Sequence, residues 1–111
     1  MNNSDFNQVV SDTFKMCENT LYRKGSEYSD IETKVEADRL SQFKLAAMQQ
    51  GIYPTMALGG MMIKHTTSIY DMLRRSKDES FPLTQWNEKI IDHINYLLLL
   101  KALIVEETNN V

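Results

Sequence analysis

Polar side chains that could bind a metal ion recur at helical spacing near the C-terminal end of the chain. Glu88, Asp92 and Asn95 are spaced i, i+4 and i+7, which places all three on one face of a helix. Two carboxylates one turn apart are a common source of oxygen ligands for a hard cation such as Mg²⁺. The alternative interpretation is a solvated helix face with ion pairs to neighbours such as Lys89.

A second polar group lies on an earlier helical segment. Lys64 and His65 directly follow the apolar residues 61–63, and both side chains donate hydrogen bonds to anionic oxygens when they are charged. The alternative is an ordinary helix surface with a weak Asp71–Arg75 pair and a histidine that is hydrogen-bonded in the core.

The third group lies in and around the segment that joins the first two predicted helices, and comprises Lys24, Gly25, Glu27, Tyr28, Asp38, Arg39 and Lys44. Gly25 permits a backbone turn from which Lys24 and Tyr28 can face one point. Asp38 and Arg39 open the second predicted helix, where unpaired backbone N–H groups favour anions. Each group alone is compatible with surface charge. Together, on stacked helices, they predict one pocket with acidic and basic walls, as nucleotide sites require.

Four amphipathic helices must position these residues. Apolar periodicity and punctuation by Gly25, Gly51, Pro54 and Pro82 predict helices over about 4–25, 36–50, 55–75 and 85–107. On the first, the apolar residues that recur at helical spacing are Phe6, Val9, Val10, Phe14, Cys17 and Leu21. The polar segment 26–35 is predicted to be a loop or a short helix. The sequence therefore predicts one all-α domain over 1–111, with a core at about 4–107, arranged as a four-helix bundle.

Composition excludes several classes of protein. Twelve basic residues against fifteen acidic ones, for a net charge of -3, leave no general electrostatic footprint for nucleic acid, so we expect no binding to duplexes. The apolar runs are too short to cross a bilayer, which takes about 20 residues, and we expect no membrane partner. With Cys17 as the single cysteine, no intrachain disulfide can form, which is typical of a reducing cytosol. We therefore expect a cytoplasmic protein.

Four segments carry a resemblance to a family of small phage and prophage proteins. They are Lys24-Gly25-Ser26-Glu27-Tyr28, Asp38-Arg39-Leu40-Ser41-Gln42-Phe43-Lys44, Lys64-His65-Thr66-Thr67-Ser68-Ile69-Tyr70-Asp71 and Glu88-Lys89-Ile90-Ile91-Asp92-His93-Ile94-Asn95-Tyr96. The resemblance spans about residues 21–106. The family is similar in layout to the all-α nucleoside triphosphate pyrophosphatases, the MazG-like and dimeric dUTPase-like enzymes, and to nucleotide-modification-associated phage domains.

The resemblance implies a MazG-like fold that assembles as a homo-oligomer, most simply a dimer. In the enzymes of this group, acidic residues on two helices bind Mg²⁺ and the nucleotide is cleaved between its α- and β-phosphates. Glu88 and Asp92 match the second acidic pair. The Glu-x-x-Glu pair expected on the preceding long helix is absent, and Lys64-His65 lies in the corresponding region.

Three hypotheses follow. The first is a Mg²⁺-dependent nucleotide pyrophosphohydrolase with Glu88 and Asp92 as catalytic residues. Its metal ligands would be Glu27, Asp38, Glu88 and Asp92, and its substrate-binding residues Lys24, Tyr28, Arg39, Lys44, Lys64, His65 and Asn95. The second is a non-catalytic binder of a nucleotide or modified nucleotide, such as a counter-defence sponge. The third is a helical protein-interaction module that uses the apolar surface of the last helix.

Overall fold

Helices dominate the fold. The structure is a computed structural model of the chain, and it describes residues 1–26, 29–30, 35–36 and 38–109. In that part of the chain four helices follow one another: α1 (Asn3–Ser26), α2 (Ser41–Gln50), α3 (Pro54–Arg75) and α4 (Leu83–Asn109). The prediction of a helical fold with four helices is therefore confirmed. No helix among these residues has the length and apolarity that crossing a membrane requires.

Local features explain three of the helix ends. The Asn2 side chain accepts a hydrogen bond from the backbone N–H of Asp5 at 2.8 Å, which satisfies a free donor in the first turn of α1. Gly51 ends α2 in the left-handed conformation, with φ 67, a geometry that glycine adopts without steric cost. Pro54 occupies the first position of α3, where its missing N–H leaves no hydrogen bond unmade.

The start of α2 differs from the prediction. Val35 and Glu36, expected near the helix start, instead form a two-residue strand, β2 (Val35–Glu36), which pairs antiparallel with β1 (Ser29–Asp30). Asp38 follows and makes a local turn, because its side chain accepts the N–H of Leu40 at 2.9 Å. Its carbonyl oxygen also accepts the N–H of Ser41 at 3.1 Å. Aspartate competes with helix formation through such bonds, and the helix therefore begins only at Ser41.

The core lies where α2, α3 and α4 meet. Phe43, Leu58 and Leu103 are fully or almost fully buried there, together with Leu40. The partly buried residues that pack around this cluster are Met61, Tyr96, Leu99 and Leu100. α3 and α4 form the central pair, since they pack against each other, while α2 packs on α3 and α1 packs on α4.

α1 is only partly integrated into this body. Cys17 is buried and Leu21 is half-buried, whereas four apolar residues one to three turns earlier are exposed. We call these four the N-terminal stripe: Phe6, Val9, Val10 and Phe14. They lie on the same helix face as Cys17, so the periodicity identified the apolar face correctly. Within this chain, only the C-terminal half of that face is covered.

Candidate anion-binding cavity

A cavity of about 360 Å³ opens between α1, the start of α2, α3 and α4. Its volume falls within the range of about 300–1,000 Å³ that small-molecule sites occupy. All four helices contribute to its wall, which is lined by Leu21, Lys24, Arg39, Gln42, Lys64, His65, Asp92, Asn95, Tyr96 and Leu99. Six of the residues that the sequence predicted for a site therefore share one cavity: Lys24, Arg39, Lys64, His65, Asp92 and Asn95.

Helical spacing brings the α4 contribution together. Asp92, Asn95, Tyr96 and Leu99 stand at i, i+3, i+4 and i+7, and such positions form one stripe along a helix. The stripe passes from a carboxylate through an amide and a phenol to a leucine. One face of α4 thus offers charged, hydrogen-bonding and apolar surface to the same space.

Gly25 makes room for one cationic side chain. A Cβ atom built at this position would lie 3.3 Å from Nε of Arg39, closer than most real contacts of a Cβ atom. Gly25 lies inside α1, so the predicted backbone turn at this residue is not observed. Its missing side chain instead lets the Arg39 guanidinium pass close against the last turn of α1.

The wall of the cavity carries an excess of positive charge. Lys24, Arg39 and Lys64 supply three cations, and Asp92 is the one carboxylate among the described lining residues. This local excess contrasts with the net charge of -3 of the whole chain. Neither Lys24 nor Lys64 forms an ion pair with any described residue. Their charges are therefore available to an anion that enters the cavity.

His65 is held close to an aromatic ring. Its imidazole lies 4.6 Å from the ring of Tyr96, centroid to centroid, with the planes tilted by 38°. Burial lowers the pKa of His65 below its usual 6.5, an effect that the negative charge of Asp92 opposes and that Lys64 reinforces. The ring is therefore predominantly neutral at pH 7. It acts there as a polar, flat surface more than as a fourth cation.

Asn95 has an unmet hydrogen-bonding requirement. The residue is only 6% exposed, and its Oδ1 atom is buried without a partner among the described residues. A buried acceptor without a donor costs about 1–3 kcal/mol, and native proteins contain few of them. Asn95 lines the cavity, but Oδ1 itself is buried, so a ligand that offers an N–H or O–H group would satisfy this atom after a rotation of the Asn95 side chain.

Two of the predicted site residues are engaged elsewhere. Lys44 Nζ lies 2.6 Å from Oδ2 of Asp38 and also binds the carboxylate of Glu106 on α4. The hydrogen bond from Lys44 lowers the pKa of Asp38, and the bonds to Asp38 and Glu106 raise the pKa of Lys44. Neither residue lines the cavity. Both link the segment before α2 to the end of α4.

The predicted metal ligands are not brought together in the described part of the chain. Glu88 is exposed one turn before Asp92 and does not line the cavity, and Asp38 is paired with Lys44. Glu27 and Tyr28 lie outside the described residues. Among the residues that are described, no group of three or more histidine, cysteine, aspartate or glutamate side chains could hold a metal ion. Of the four predicted ligands, the described part of the cavity wall contains Asp92 alone, and a Mg²⁺ site stays a prediction.

Four lining residues were not predicted: Leu21, Gln42, Tyr96 and Leu99. The signal for Tyr96 and Leu99 was present, because they continue the helical spacing that starts at Asp92. Leu21 stands one turn before Lys24 on α1. Gln42 carried no such signal, since its place in the wall depends on where α2 begins.

Comparison of the chain with protein-family models, with curated proteins and with solved structures found no match. The fold and the cavity therefore define a broad class, that of a small helical protein with a positively charged cavity. The MazG-like resemblance and the homo-oligomer that it implies stay predictions.

Proposed function

We propose that this protein binds a nucleotide or a nucleotide-like anion, and that the cavity between α1, the start of α2, α3 and α4 is the binding site. The observation that carries the proposal is the charge of the wall. Three cationic side chains from three parts of the fold, Lys24, Arg39 and Lys64, face one carboxylate in a chain whose net charge is negative. Phosphate oxygens are the ligands that such a set of donors fits best.

Other lining residues favour a nucleotide over a bare phosphate. The Tyr96 and His65 rings and the leucines of α1 and α4 offer flat and apolar surface of the kind on which a nucleobase stacks. After a rotation of the Asn95 side chain, its Oδ1 atom, which is buried without a described partner, would accept a hydrogen bond from an amino, imino or hydroxyl group of the base or sugar. The sequence resemblance to small phage MazG-like proteins supports the same class of ligand.

The proposal is binding without hydrolysis. In the pyrophosphohydrolases that the sequence resembles, acidic residues on two helices bind Mg²⁺ at the phosphates. The described wall supplies Asp92 alone, while the side chain of Asp38 is paired with Lys44. Cations in place of those carboxylates would hold the phosphates directly.

Titration calorimetry tests the proposal, with nucleoside mono-, di- and triphosphates compared against the corresponding nucleosides, with and without Mg²⁺. We expect the phosphorylated ligands to bind and the nucleosides to bind far more weakly. Chromatography of the ligand after incubation should recover it unchanged. Recovery of a monophosphate and pyrophosphate would replace the proposal with the hydrolase hypothesis.

A matched pair of variants locates the site. Lys64→Ala removes a lining cation, and Lys101→Ala removes an exposed helical lysine outside the cavity. Because a hydrogen bond to a charged group contributes about 1.5–3 kcal/mol, Lys64→Ala should weaken nucleotide binding by about 10- to 100-fold. Lys101→Ala should leave it unchanged. Equal affinities of the two variants would show that the cavity is not the binding site.

A further inference from the structure

The chain exposes more surface than a compact monomer of its size. Its accessible surface is 8347 Å², whereas a folded monomer of 12.9 kDa is expected to expose about 6,300 Å². The radius of gyration is 16.8 Å, against about 13 Å for a compact domain of 111 residues. This excess of about 2,000 Å² is summed over all 111 residues, and each partner in an ordinary protein interface contributes roughly 800 Å².

Part of this excess is the N-terminal stripe of α1. Phe6 and Phe14 are each 56% exposed and Val10 is 37% exposed, although they continue the face on which Cys17 is buried. At 100° per residue, the charged side chains of this half of α1, Asp5, Asp12 and Lys15, fall outside the face. The face is therefore uncharged over about two and a half turns, and its one polar residue, Thr13, donates its hydroxyl to the backbone carbonyl of Val9 at 2.7 Å. Contiguous exposed surface of this kind marks an interaction site.

We propose that the N-terminal stripe is a homodimer interface, in which it packs antiparallel against the same stripe of a second copy. The twofold axis passes near Val10, because this residue lies midway between Phe6 and Phe14. Each Phe6 then packs against Phe14 of the other copy, and Val10 packs against its own counterpart. An interface of this kind is self-complementary by symmetry. Because the stripe carries no charged side chain, no like charges meet across the twofold axis.

The charges of α1 favour a second copy over a lipid surface. Helices that bind anionic membranes carry many lysines and arginines on the polar face. In α1, the acidic residues are Asp5, Asp12 and Glu18 and the basic ones Lys15, Arg23 and Lys24, so three charges of each sign cancel. Such a helix gains little from anionic headgroups. It gains from covering its aromatic residues with matching apolar surface.

Sedimentation velocity of the full chain across a wide concentration range tests the association. We expect a species of twice the chain mass that dissociates on dilution. Val10→Glu should shift the chain to monomer while circular dichroism keeps its helical signal, because Val10 is not part of the hydrophobic core of the monomer. Lys15→Glu, on the opposite side of α1, should leave the dimer intact. A wild-type chain that stays monomeric, or a dimer that Val10→Glu does not weaken, would overturn the proposal.

Cross-linking tests the geometry on a different variant. Val10→Cys should form an intermolecular disulfide under mild oxidation, since the two thiols meet near the axis, and Lys15→Cys should not. Cys17 does not compete, because it is buried and burial raises the pKa of its thiol. A disulfide dimer of Lys15→Cys that forms as fast as that of Val10→Cys would also refute the antiparallel pairing.

Discussion

Replacement of Asn95 by leucine should raise the stability of this protein while it weakens nucleotide binding. The substitution Asn95→Leu keeps the number of side-chain heavy atoms and removes the buried Oδ1 atom that has no described partner. The free energy of unfolding of the ligand-free protein should rise, because the desolvated acceptor is replaced by apolar atoms. The same change should weaken nucleotide binding, because the ligand loses an acceptor and meets a larger, branched side chain.

The structure sets the size of the effect. A buried, unsatisfied acceptor costs about 1–3 kcal/mol, and Asn95 is 6% exposed, so most of that cost applies. Because leucine is larger than asparagine, some strain offsets the gain. We expect a net increase of about 1 kcal/mol in the free energy of unfolding, which corresponds to an increase in Tm of about 4 °C for a chain of this length.

Urea denaturation without ligand, followed by circular dichroism, measures this change. Asn87→Leu is the matched control, because Asn87 lies on the same helix, is half-buried and does not line the cavity. Its effect should stay within about 0.5 kcal/mol. If Asn95→Leu destabilises the protein by 1 kcal/mol or more, Oδ1 has a satisfied role in the free protein, and the argument that it awaits a ligand is refuted.

Three further predictions follow from the same geometry. Burial lowers the pKa of His65 below 6.5, so His65 binds a proton at higher pH in the unfolded chain than in the folded one. The free energy of unfolding should therefore fall as the pH drops below about 6.5. In urea denaturation, His65→Gln should flatten this pH dependence, and an unchanged slope would contradict the prediction. Lys44→Ala breaks two ion pairs between half-exposed groups and should lower the free energy of unfolding by no more than about 1 kcal/mol. Leu58→Ala in the core should lower it by about 2–5 kcal/mol. Equal losses in urea denaturation would show that solvent does not screen the ion pairs of Lys44. Gly25→Ala improves helix propensity by up to about 1 kcal/mol but displaces the Arg39 side chain. The variant should therefore be no less stable than the wild type but should bind the nucleotide more weakly in titration calorimetry. Unchanged affinity would show that Arg39 does not contact the ligand.

The helices were predictable because their determinants are local. Gly51 and Pro54 mark ends that need only a special backbone angle or a missing N–H. On α1, apolar residues at helical spacing identified the face that carries the buried Cys17. The start of α2 was not predictable in this way, because the side chain of Asp38 competes for backbone groups and the nearby strand pair is formed between residues several positions apart.

The candidate site was predictable only in part. Asp92 and Asn95 share a helix face, so their common position followed from spacing. Glu88 belongs to the same predicted stripe but falls one turn short of the cavity, and only the packing of neighbouring helices decides where a cavity ends. The ion pair of Lys44 was not predictable from the sequence either, since its partner Glu106 lies 62 residues away along the chain.

Because Lys44 links Asp38 to Glu106 through ion pairs, ionic strength affects anion binding by this protein in two ways. Arg39 stands next to Asp38 and before the first turn of α2, so it has no helix of its own to hold it in the wall. Dissolved ions screen exposed charges, with a Debye length of about 8 Å at physiological salt and about 3 Å at 1 M. Concentrated salt therefore weakens the attraction between the wall and an anion, and it also loosens the contacts that hold Arg39 in place.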